Sequence, residues 1–123
     1  MKPILKEIYI QDHGYLDQIS SVPNCFHVKL EILITHKDSI GDDEYSIDLC
    51  DKEGLKKEID QLFESDYERV NEANFSLLNK TLVVKKYDND LIKKNIEDLI
   101  NSCVADTWAE VSLKLREHFD YAP

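Results

Sequence analysis

Cys25 and His27 sit two positions apart in a stretch, Cys25 to Thr35, whose Phe26, Val28, Leu30, Ile32 and Ile34 recur at every second residue. In a strand, such neighbours share a face, and a thiol beside an imidazole is half of a metal site. The other half is missing. His13, His36 and His118 stand alone, and no second C-x-H or C-x-x-C pair occurs, so a structural or surface role is favoured. A Cys103/His118 nucleophile pair is conceivable on residue type, yet Cys103 continues an apolar helical stripe and reads as packing. Carboxylates crowd Asp38 to Asp48, but their spacing misses the D-x-[DN]-x-[DN]-G calcium loop. With 25 acids in the chain, some pair by chance, so no glycosidase-like dyad can be claimed. The three glycines form no G-x-G-x-x-G, G-K-[ST] or G-x-S-x-G pattern. The expectation is a chain with no catalytic residue, metal or cofactor.

The charges are more informative than any motif. Asp38 to Glu72 holds 13 acids and 4 bases, a net of −9, out of −10 for the whole chain. Such a field repels nucleic acid and anionic membrane and attracts a basic partner. Acidity can also serve solubility, but solubility does not require the charge to be gathered in one segment. The candidate contacts are Asp42, Asp43, Glu44 and Asp48 on one hairpin, and Glu53, Asp60 and Glu64 on the helix after it. Tyr67 lies in the same acidic stretch, where an exposed aromatic is a natural binding anchor; a plain surface tyrosine fits equally well.

The elements that would position these residues follow from periodicity. Pro3 to Ile10 alternates and predicts a first strand. Gln11 to Asn24 carries the breaker clusters His13-Gly14 and Ser20 to Asn24, with room for one helical turn around Tyr15, Leu16 and Ile19. Cys25 to Thr35 is the central strand, its apolar face on the core and Cys25, His27, Lys29, Glu31, Leu33 and Thr35 opposite. A turn-rich Lys37 to Asp43 leads to a third strand in which Tyr45, Ile47 and Leu49 alternate with Ser46, Asp48 and Cys50, paired antiparallel with the second. Asp51 caps a helix to about Glu64, striped by Leu55, Ile59, Leu62 and Phe63. Ser65 to Lys80 is irregular, and Thr81 to Tyr87 is a fourth strand. Asp88 or Asn89 caps a helix striped by Leu91, Ile92, Ile96, Leu99, Ile100 and Cys103. Thr107-x-x-Glu110 fits a capping box, and Trp108, Val111, Leu115 and Phe119 of the helix it opens should face the sheet. These elements predict one α+β domain over residues 1–123, a mainly antiparallel four-stranded sheet with about three helices packed on it.

The totals agree with that class. A chain of 123 residues with 42% hydrophobic and 33% charged content can bury one ordinary core. No apolar run approaches the ~20 residues that cross a bilayer, and charge returns too soon after Met1 for a signal peptide. Cys25, Cys50 and Cys103 are scattered and odd in number, which suits reduced thiols in a cytoplasm.

Several segments resemble a known family. They are Met1 to Tyr9, the long strand with its hairpin to Tyr45-Ser46-Ile47-Asp48-Leu49-Cys50, Leu82-Val83-Val84-Lys85-Lys86-Tyr87-Asp88, and Asn101-Ser102-Cys103 leading into Asp106-Thr107-Trp108-Ala109-Glu110-Val111-Ser112-Leu113-Lys114-Leu115. Together they are similar to the immunity protein 8 family over most of the chain, least so at Ser65 to Lys80. Family members usually close on a Trp-Glu-Phe-like segment; here the end is His118-Phe119-Asp120-Tyr121-Ala122-Pro123, without the tryptophan. The resemblance implies a cytoplasmic antidote, without catalysis, to a toxin of a polymorphic or contact-dependent inhibition system, bound through the toxin's C-terminal domain. The charge count adds that this domain is basic, as a nuclease that holds phosphates must be. A small acidic enzyme using a carboxylate or Cys/His pair, or an acidic adaptor, are the alternatives.

Overall fold

Strand β3, His27–Thr35, carries the alternation into three dimensions. Leu30, Ile32 and Ile34 are fully buried while Lys29 is exposed and Glu31 and Leu33 are half-buried. In the computed structural model, which describes residues 1–18, 26–37, 41–51, 53–54, 75–77 and 80–122, β3 lies between β1 (Ile4–Ile10) and β4 (Asp43–Asp51), antiparallel to both. The remaining strands are β2 (Gly14–Tyr15), β5 (Phe75–Leu77), β6 (Thr81–Val84) and β7 (Asp120–Ala122). The sheet runs β2-β1-β3-β4-β6-β5, with β7 on β4. Helices α1 (Asn89–Asn101) and α2 (Trp108–His118) complete an α+β fold.

The antiparallel hairpin of β3 and β4 is as expected, but among the described residues the sheet has seven strands rather than four. The additions are two or three residues long, too short for a period to register. They also divide β4 in an unforeseen way. β3 occupies one edge along its length, and the other edge is shared. Asp48 to Asp51 pair with β6 in parallel, and Glu44 to Ser46 pair antiparallel with β7. The tail that follows α2 therefore finishes the sheet. The expected fourth strand stops at Val84 because Lys85 and Lys86 bend away and Asp88 turns to cap α1. The expected helix from Asp51 to Glu64 lies largely outside the described residues.

Its start does not. Asp51 is buried, and its Oδ1 accepts the Gly54 N–H at 2.7 Å, the geometry of an N-cap. Gly54 has no substitute there, since a Cβ would lie 1.8 Å from the Phe26 carbonyl oxygen. Gly14 plays a different part. Its φ of 122° follows the left-handed Asp12 (φ 67°) and turns β1 back into β2.

Both described helices bury a stripe against one sheet face. Asp88 accepts the Leu91 N–H at 3.1 Å to start α1, and Ile92, Ile96 and Ile100 are fully buried at spacing four. Thr107 Oγ1 accepts the Glu110 N–H at 3.3 Å and donates to Glu110 Oε1 at 3.2 Å, so the predicted capping pair forms with the carboxylate closing on the hydroxyl. Val111, Leu115 and Phe119 are fully buried. Leu99 and Trp108, expected in the centre, are only partly buried at its margin. The indole N–H needs an acceptor, and it finds Asp43 Oδ2 at 3.0 Å on the rim of β4. His36 covers one side of the ring at 4.3 Å. Trp108→Ala should therefore cost about 2 kcal/mol in a denaturant titration, roughly half of what a fully buried indole costs. Trp108→Phe, which keeps a six-membered aromatic ring but loses the pyrrole portion and the hydrogen bond, should cost less, about 1 kcal/mol.

Candidate partner-binding face

Because the helices cover the face that carries Ile8, Ile32 and Tyr45, the opposite face is built from the other set of alternating residues. Pairing registers arrange them in rows. Tyr15, Tyr9, Glu31 and Ser46 form one row across β2, β1, β3 and β4. Glu7, Leu33 and Glu44 form the next, and Lys29 with Asp48 lies on the far side of the first. The β4/β6 end of this face is buried at Cys50 and Val83. The β1/β2 end is open.

There the two rows border an open recess of about 270 Å³ lined by Glu7, Tyr9, Tyr15, Glu31, Leu33 and Glu44. The Tyr9 and Tyr15 rings meet edge to face at 5.2 Å and 75°, each fixing the other. Tyr15 remains 43% exposed. Among the described residues, Glu7, Glu31 and Glu44 take part in no ion pair. Three carboxylates thus surround an aromatic and aliphatic floor with no counter-charge in contact.

The hairpin acids do not act as one group. Asp42 pairs with Lys6 Nζ at 2.8 Å, a contact that raises the lysine's pKa. Asp43 turns to the helix side and receives Trp108. Glu44 and Asp48 point to the open face, with Asp48 Oδ2 3.3 Å from His27 Nε2. Glu53 is exposed beyond β4. Asp60, Glu64 and Tyr67 lie outside the described residues. Sequence reasoning passed over Glu7, Tyr9, Tyr15 and Glu31 because it counted charge along the chain. The period-two pattern of β1 and β3 already placed Glu7, Tyr9 and Glu31 off the core face.

The thiols have a different character. Burial, with Asp51 and Asp48 adding to it, pushes Cys50 up to about 12, and burial also raises Cys103, whose Sγ donates to the Leu99 carbonyl at 3.3 Å. Both shifts disfavour the thiolate, the opposite of the lowered pKa of a reactive cysteine. A raised thiol pKa stabilises the fold below the ordinary value of 9.0 and loses that contribution as the pH climbs towards 12. Iodoacetamide at pH 7.5 should leave Cys50 and Cys103 unmodified in the native chain and label both after unfolding. Native labelling of either, read by peptide mass spectrometry, would contradict their burial. Among the described residues no three His, Cys, Asp or Glu side chains are gathered to hold a metal ion; Cys25 is outside them. No helix among them is long and apolar enough to cross a membrane.

The chain matches the family model described as Immunity protein 8 over residues 4–121, nearly its whole length. No curated protein and no solved structure matches it.

Proposed function

The chain belongs to the Immunity protein 8 family, and from that premise we propose that it binds the C-terminal domain of a cognate bacterial toxin and silences it without catalysis. The observation that supports a location for this contact is the open sheet face, where Glu7, Glu31 and Glu44 surround Tyr9 and Tyr15 and form no ion pair among the described residues. Aromatic anchors inside a charged rim are what a tight protein interface uses. Glu44 and Asp48 extend the face along β4, Glu53 continues the negative field, and Asp60, Glu64 and Tyr67, outside the described residues, stay candidate contacts on charge and residue type alone. Asp43 acts from behind, holding Trp108, and Asp42 is paired with Lys6.

A net charge of −10 selects a cationic partner and speeds the encounter with it. A nuclease toxin fits that description, since its cleft must hold phosphates with Lys and Arg. An acidic face laid over that cleft excludes the nucleic acid by taking its place. The site of action is the cytoplasm, where such a toxin meets its substrate.

The test takes the C-terminal domain of the protein encoded in the adjacent reading frame and co-expresses it with this chain. Growth should be restored, and the two chains should elute as one complex. Continued killing, with both proteins present in the extract and no complex formed, would overturn the assignment.

A further inference from the structure

The recess on the open face has more specificity than a general negative patch. At about 270 Å³ it lies just below the ~300–1,000 Å³ of ordinary small-molecule pockets and has room for one long side chain. Its floor is aromatic and aliphatic, from Tyr9 and Leu33, and Tyr15 stands against Tyr9 at 75°. Its rim carries Glu31 in the tyrosine row and Glu7 and Glu44 in the neighbouring row, on either side of Leu33. Carboxylates therefore face the opening from three strands. None of the three is drawn into an ion pair among the described residues. A lysine ammonium would meet the carboxylates as a point charge and leave the ring faces largely unused. A planar guanidinium can stack on a tyrosine face and fork to carboxylates at its edge together.

Resting on the reading of this chain as a toxin-binding protein, we infer that the recess of Tyr9, Tyr15, Leu33, Glu7, Glu31 and Glu44 is the receptor for one arginine side chain presented by the toxin. Arginine inserted there becomes the central anchor of the interface, and Asp48 and Glu53 belong to its rim. The strand registers and the Tyr9–Tyr15 ring contact that shape the recess are all made within this chain. Arginine recognition is thus a property of the free protein.

That permits a test needing no toxin. The full chain, labelled with ¹⁵N, is titrated with N-acetyl-arginine amide, and in parallel with the lysine and citrulline amides. Arginine amide should give saturable shifts confined to the amides of Glu7, Tyr9, Tyr15, Glu31 and Leu33. The lysine compound should bind at least several-fold more weakly, and neutral citrulline, which keeps the shape, should give none. The Glu31→Gln/Glu44→Gln variant should fold normally and lose the response. Absence of saturation with arginine amide, equal shifts with citrulline, or shifts scattered over the surface would overturn the receptor. Failure here with growth protection intact sinks the recess and spares the toxin assignment. Arginine binding in a chain that forms no toxin complex leaves the recess standing and sinks that assignment instead.

Discussion

Truncating Tyr45 to alanine is expected to cost about 4 kcal/mol of folding stability, twice the cost of losing Trp108. Tyr45 is fully buried at the place where four elements meet. It lies in β4 opposite Ile32 of β3 and opposite Tyr121 of β7, whose ring is 5.2 Å away. The Phe119 ring stands at 6.4 Å, edge on, and the Tyr45 hydroxyl shares a 3.0 Å hydrogen bond with Ser112 Oγ in α2. Truncation opens a cavity that rigid strands cannot close, and leaves Ser112 without that partner. Tyr45→Phe separates the two effects. It should cost only about 1 kcal/mol, the worth of the hydroxyl contact. Denaturant titrations of both variants measure this, and the alanine variant should also loosen β7, seen as faster amide exchange at Tyr121. Equal losses for Tyr45→Phe and Tyr45→Ala would show that the hydroxyl, not the ring, holds the junction.

The second large effect concerns binding. Neutralising the recess as Glu7→Gln/Glu31→Gln/Glu44→Gln removes three charges but no shape. Association with the toxin domain at low salt should slow by about 10- to 100-fold, because steering depends on charge near the docking point. The deficit should narrow at high ionic strength, where the Debye length falls to about 3 Å at 1 M and wild type loses its advantage. A matched control, Asp90→Asn/Asp98→Asn/Glu117→Gln, makes the same change in net charge at exposed positions of the helices. It should slow association far less. Equal slowing by the two triple variants would mean that total charge alone attracts the partner.

Much of the fold was legible because its long elements repeat. The alternation of Phe26 to Ile34 fixed the buried face of β3, and that of Tyr45, Ile47 and Leu49 fixed β4. The spacing of Ile92, Ile96 and Ile100 fixed the face of α1. Asp51, Asp88 (with Asn89 as the other choice) and Thr107 were readable as caps because each side chain answers a local backbone donor. What could not be read was non-local. The parallel match of Asp48–Asp51 to β6 depends on residues about thirty apart, and no local period encodes it. β7 is three residues long, and its sense comes only from the free edge of β4.

The candidate face was half legible for the same reason. Glu44 and Asp48 were found through charge density along the chain. Glu7, Tyr9 and Glu31 sit in ordinary mixed strands, and only lateral pairing brings them beside Glu44. Asp43 was a candidate contact by charge, and its structural part emerged from an indole 65 residues away.

The measurement that bears most directly on the proposed mode of action is cross-saturation from unlabelled toxin domain to the deuterated, ¹⁵N-labelled chain in their complex. The account predicts signal loss at Glu7, Tyr9, Tyr15, Glu31, Leu33 and Glu44, with α1 and α2 untouched. Loss concentrated on the outer faces of α1 and α2, with the β1–β3 face unchanged, would contradict it.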